Sequence, residues 1–153
     1  MKRTRLAALL LSGIMAASVL AGCGSVNKNA VVATFDETEI ALGVPNFAAR
    51  LQQAYSDDVY SYYFGGSAWD SDFSGTGVTM QEDVKNSVMD SMFELYTLNA
   101  HTQEYGVALS EEDQTKIAET AAAFIEANSR EALKELGADQ EIVEEYLRLV
   151  TIQ

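Results

Sequence analysis

The chain has one cysteine, one histidine, one proline and one tryptophan, and it is poor in positive charge. A single cysteine, Cys23, excludes an intramolecular disulfide and a thiolate metal site. With His101 as the only histidine, a Ser-His-Asp triad would have to use it, and zinc sites built on several His or Cys ligands are excluded. Lys and Arg number 10 against 23 Asp and Glu, a formal charge of −13. Such a chain is repelled by nucleic acid and by anionic lipid headgroups. No Gly-rich phosphate loop is present, because Gly75-Thr76-Gly77 lacks the next Gly and the preceding strand. No internal repeat or low-complexity tract occurs.

Long apolar runs are also scarce, and the only one lies at the start. Lys2, Arg3 and Arg5 precede a 15-residue apolar run from Leu6 to Leu20, and Leu20-Ala21-Gly22-Cys23 forms a lipobox. A basic start, an apolar stretch and small residues at the cut are the layout of a secretory signal. The run is short for a span of roughly 20 residues. The expectation is therefore a signal peptide over 1–22, removed to leave a lipidated Cys23 at the new N-terminus. Two or more acyl chains would hold the protein on the extracytoplasmic face of a cell membrane. The remaining 131 residues keep 7 basic and all 23 acidic side chains, a net charge of −16.

Residues 23–29 are polar and Gly/Ser-containing, and they read as a tether. Residues 30–153 read as one domain of the usual size. Its fold class is mostly α, with a small N-terminal β-hairpin and about four to five helices. Ala30 to Phe35 is β-branched, as in a buried strand. Asp36-Glu37-Thr38 can turn it into a second strand at Glu39 to Leu42.

Pro45 suits a first helical position. Phe47, Leu51, Tyr55, Val59 and Tyr62 then recur at helical spacing and predict a helix running to about Phe64, ended by Gly65-Gly66. Thr79 to Glu82 is a capping box opening the longest helix, which should run past Asn99 and enclose His101, with Gly106 beyond its end. Ser110, Ser129 and Asp139 cap three further helices, and Gly137 stops the middle one. The inward stripes are Ile117, Ala121, Phe124 and Ile125, then Ile142, Val143, Tyr146, Leu147 and Val150. Glu112–Lys116, Glu126–Arg130 and Glu144–Arg148 are spaced as i,i+4 pairs. The last helix has no stop signal, and its apolar stripe has nothing declared to pack on. That predicts either a chain that continues or a partner.

Several passages resemble a known family. The strand pair AVVATFDETEIAL, the passage from Ala100 to Glu112 with its Tyr105-Gly106-Val107, and the stretch from Leu133 to Leu147 around Gly137 resemble the N-terminal chaperone region of SurA/PrsA-type foldases, relatives of the trigger factor substrate-binding domain. The resemblance covers most of residues 30–150. It implies a membrane-anchored chaperone that binds unfolded or nascent exported proteins in a groove between helices, without nucleotide or cofactor. Family members often carry a parvulin peptidyl-prolyl isomerase domain after this region. No parvulin core is found in this sequence, which has a single His where that core needs a pair, so no catalytic residue is assigned. Two alternatives stand beside the chaperone reading. The chain could be the N-terminal fragment of such an isomerase, or a cell-envelope adaptor that binds one folded partner through its last helix.

The stretch from Tyr55 to Phe73 is the candidate client-binding surface. Tyr55, Tyr62, Tyr63, Phe64 and Trp69 are its main residues, with Tyr60 and Phe73 beside them. Flat aromatic groups grip extended apolar peptides without demanding one sequence. The competing reading puts Tyr55 and Tyr62 in the core. Asp70 and Asp72 begin a pattern resembling a calcium loop, D-x-D-x-S-G. The twelfth position is Gln81 rather than Glu, so a solvated acidic loop is the expectation and no metal is assigned. His101 has no catalytic partner by spacing and reads as structural.

Overall fold

The structure, a computed structural model, describes residues 27–35, 38–65 and 68–152. The expected signal peptide over 1–22, Cys23, and Asp36 and Glu37 of the expected turn lie outside the described residues. The order is β1 (Val31–Phe35), β2 (Thr38–Ala41), α1 (Gly43–Phe64), α2 (Met80–Ala100), α3 (Glu111–Ala127), α4 (Arg130–Leu136) and α5 (Gln140–Thr151). The chain is mostly helical, with a short antiparallel hairpin ahead of the helices, as its periodicities predict. Among the described residues, no helix is long and apolar enough to cross a membrane.

The hairpin pairs Val31 with Ala41 and Phe35 with Thr38, with an irregularity between Val31 and Ala33. β1 is not the buried strand its composition predicts. In a two-stranded ribbon neither strand is central, and Val31 stays exposed while Ile40 of β2 is fully buried. The part of the expected tether that is described already carries folded contacts. The Gly43 N–H donates to the Lys28 carbonyl at 2.9 Å, and the Lys28 ammonium reaches Asp139 at 2.8 Å and Glu141 at 3.0 Å.

The core joins α1, α2, α3 and α5. Phe47 sits at its centre, with Phe124 and Tyr146 edge-on at 5.7 and 5.4 Å, an arrangement favoured by the ring quadrupoles. Val44, Ala48, Met92, Leu95, Ala121, Ile142, Val143 and Leu149 complete the buried cluster. Leu149, which the spacing of the last helix leaves out, is fully buried, while Leu147 and Val150, placed inward by that spacing, pack partly buried against the core. The stripe of α5 is thus covered by this chain's own helices, contrary to the expectation that it lacks a packing surface. Across the α2–α5 contact the Arg148 guanidinium donates to Asn99 Oδ1 at 2.9 Å and to both Glu145 oxygens.

Caps set the helix limits. Thr79 and Glu82 form the expected capping box, and Ser110 forms a second one with Asp113. Ser129 and Asp139 cap α4 and α5 as their sequence predicts. Pro45 stands at the third position of α1, not the first, which is tolerated because the first four helical N–H groups lack intrahelical partners. α2 stops earlier than expected, so His101 is its C-cap residue and not an interior one. Asn99 turns its amide to the Leu95 and Leu149 carbonyls, and the Thr102 hydroxyl takes the Asn99 carbonyl. These side-chain bonds compete with continued helix.

Of the three predicted ion pairs, Lys116–Glu112 forms at 2.6 Å. Arg148 pairs with Glu145 rather than Glu144, whose carboxylate accepts from the Gln140 amide. Glu126 and Arg130 fall on different helices, α3 and α4, so helical spacing does not bring them together.

Candidate client-binding surface

The row Phe47, Leu51, Tyr55, Val59 and Tyr63 follows one inclined line along α1, because residues four apart stack on a helix face. Its first half is core. Phe47 is 2 % exposed and Leu51 packs on the core cluster. Its second half leaves the core: Tyr55 is 68 % exposed, Tyr63 72 % and the adjacent Tyr62 84 %. The row is therefore buried only as far as Leu51, and Tyr55 and Tyr62, which the competing reading puts in the core, face outward. The rings of Tyr62 and Tyr63 meet edge-on at 5.2 Å.

Gly65 closes α1 in the left-handed region (φ +73°), returning its N–H to the Ser61 carbonyl. The chain then folds back beside the helix. Ala68 is buried, and Phe73 stacks on Tyr60 with ring centroids 5.6 Å apart while remaining 58 % exposed. The first turn of α2 receives the loop: the Gln81 N–H donates to the Trp69 carbonyl at 3.0 Å and the Met80 N–H to the Ser71 carbonyl at 2.9 Å. Trp69 is half-buried there. The side chain of Phe64 lies outside the described residues.

Asp72 organises the loop from within. Its carboxylate accepts from the N–H groups of Gly77 at 2.6 Å and Gly75 at 2.7 Å and from the Ser74 hydroxyl at 2.9 Å. The Gly77 and Ser74 bonds are the chief reasons why its carboxyl is held below the usual range. The oxygens that a calcium loop would offer to the ion are therefore spent on loop closure. Asp70 is exposed, and Glu82 is engaged in the α2 capping box. Among the described residues, no group of three His, Cys, Asp or Glu side chains is placed to hold a metal ion.

Two grooves lie between helices. One, of about 370 Å³, runs between α1 and α2 over Ala48, Gln52, Val84, Val88, Met92 and Val150. Tyr55 stands one helical turn beyond Gln52 on the same side of α1, so the groove leads toward the exposed tyrosines. The other, of about 790 Å³, lies between α3 and α5, with Leu109 and Ile117 facing Gln140, Glu144 and Arg148. His101 takes no part in either groove; its Nδ1 lies 3.2 Å from Glu104 on an exposed turn.

Sequence reasoning missed a second group of exposed apolar side chains, Leu98, Tyr105 and Val107, at the end of α2 and beyond it. The signal was present in the Tyr105-Gly106-Val107 turn, where two large apolar residues flank a glycine at φ +66° with no periodic partner. Compared with known proteins, the chain matches no family model, no curated protein and no solved structure.

Proposed function

We propose that this chain is a membrane-anchored, extracytoplasmic chaperone that binds unfolded exported polypeptides, with no nucleotide cycle and no catalytic step of its own. The observation that carries this reading is the aromatic platform. Tyr55, Tyr62, Tyr63 and Phe73 stand in solvent on a helix and loop that are fastened by ring stacking, main-chain hydrogen bonds and the Asp72 carboxylate. Exposed aromatic side chains clustered on one helix and its following loop mark a candidate interaction site. The lipobox supports the compartment, and the resemblance to SurA/PrsA-type foldases supports the class.

The mechanism follows from area. Covering two such rings removes on the order of 300 Å² of aromatic surface. At about 25 cal/mol per Å² that is roughly 7 kcal/mol. The cost of ordering an extended client takes much of it. The balance is weak, reversible and sequence-tolerant capture, which suits a holdase. The Gln52–Val88–Met92 groove would accept the apolar side chains flanking the captured segment.

The test is aggregation suppression. The full chain, reconstituted in phosphatidylcholine vesicles, is expected to delay light scattering by a chemically denatured client. A Tyr62→Ser/Tyr63→Ser variant should delay it much less. No protection by the wild-type chain would reject the reading.

A further inference from the structure

The charge along the segment that carries the platform is of one sign. Between Arg50 and Lys85 the chain has no Lys or Arg, yet it carries Asp57, Asp58, Asp70, Asp72, Glu82 and Asp83. The same interval holds seven of the chain's fourteen aromatic residues. Of the two bounding cations, Arg50 donates to Gln53 at 2.9 Å and Lys85 to Gln81 at 3.2 Å, neutral partners that leave both positive charges at the edges of the segment. Asp58 and Asp70 are exposed, Asp58 on the same helix as the exposed tyrosines and Asp70 next to Trp69. The exposed tyrosines thus lie on a segment whose charged side chains are all carboxylates.

From this we infer that the platform selects cationic apolar segments, in which Lys or Arg alternates with large apolar residues. This rests on the client-binding reading above and specifies its substrate class. Two effects act together. The π-faces of Tyr55, Tyr62 and Tyr63 attract an ammonium or guanidinium group, more so as the client excludes water. The carboxylates of Asp58 and Asp70 add a field that draws cations in and repels acidic segments. Neither effect favours an acidic peptide, and both oppose anionic lipid headgroups, so a polypeptide fits this surface better than a membrane does.

The experiment uses the full chain in phosphatidylcholine vesicles and two dye-labelled peptides of equal length and equal Leu/Phe content. One carries Lys and Arg, the other Glu at the same positions. Anisotropy should show the cationic peptide binding about tenfold tighter, with the gap narrowing between ~0.05 and ~0.5 M salt. Asp58→Asn/Asp70→Asn should narrow the gap at low salt, and Tyr62→Ser/Tyr63→Ser should weaken both peptides. Equal binding of the two peptides, lost in the tyrosine variant, would overturn the charge selection while leaving client binding intact. No binding of either would overturn both. A shift of Trp69 emission on adding phosphatidylglycerol vesicles, with no response to peptide, would make the platform a lipid contact and overturn the inference.

Discussion

The rings of Tyr60 and Phe73 stack at 21° with centroids 5.6 Å apart, and this contact fastens the loop after α1 to the helix that carries the exposed tyrosines. Phe73→Ala removes it without opening the core, since Phe73 is largely solvent-exposed. The expected loss is about 0.5–1.5 kcal/mol in chemical denaturation, with faster amide exchange over residues 68–79 and weaker client binding. Exchange unchanged in that segment would show that the main-chain bonds to α2 suffice without the stack.

Gly137 and Gly65 both end helices at positive φ, but their surroundings differ. A Cβ at Gly137 would lie 2.5 Å from Asn46 Nδ2, whereas one at Gly65 meets nothing within 4 Å. Gly65→Ala should cost about 1 kcal/mol for the left-handed backbone alone. Gly137→Ala should cost somewhat more, about 1–2 kcal/mol, because the Asn46 amide must also swing away. Pairing Gly137→Ala with Asn46→Ala should recover the steric part only. Equal losses for the two single variants in thermal or urea unfolding would refute the clash.

Acid should weaken the fold through its caps. The Glu82 carboxyl is held below its ordinary range first by the Thr79 N–H, and that of Asp113 first by the Ser110 hydroxyl. For Asp139, partial burial pushes up, but the Lys28 and Ile142 donors outweigh it and the net shift is down. A carboxyl that binds its proton less readily when folded contributes stability above its unfolded value and loses it as pH falls through the folded one. Stability from these groups should therefore hold above about pH 5 and decline below about pH 4. Relief of repulsion among 23 acidic residues acts oppositely, so the diagnostic is a difference. Asp113→Asn should show a shallower acid decline than wild type, and parallel curves would contradict the assignment.

The caps were legible because Thr79, Ser110, Ser129 and Asp139 each act over three residues, a range that sequence shows directly. The hairpin and the helix order were legible for the same reason. The fate of the α1 stripe was not. Phe47 and Tyr55 occupy equivalent positions in a periodic pattern, and only the placement of the packing helices decides that one is buried and the other exposed. Leu149 was missed because two neighbours fitted the stripe equally well, and its burial depends on how α5 packs against the other core helices. The end of α2 turned on Asn99 reaching a carbonyl fifty residues away, which no local pattern encodes. Asp72 looked like a potential metal ligand because sequence does not reveal which N–H groups a loop will return to its own carboxylate.

The most direct measurement is site-specific photocrosslinking in intact cells that express the protein. A photoreactive phenylalanine analogue replaces Tyr62 on the platform or, as control, the exposed Lys116 on α3. If the aromatic platform holds unfolded exported chains, position 62 should give a ladder of adducts that grows when exported proteins are denatured, while position 116 gives little. Equal adducts from both positions, or a single discrete adduct from position 62, would contradict the chaperone reading.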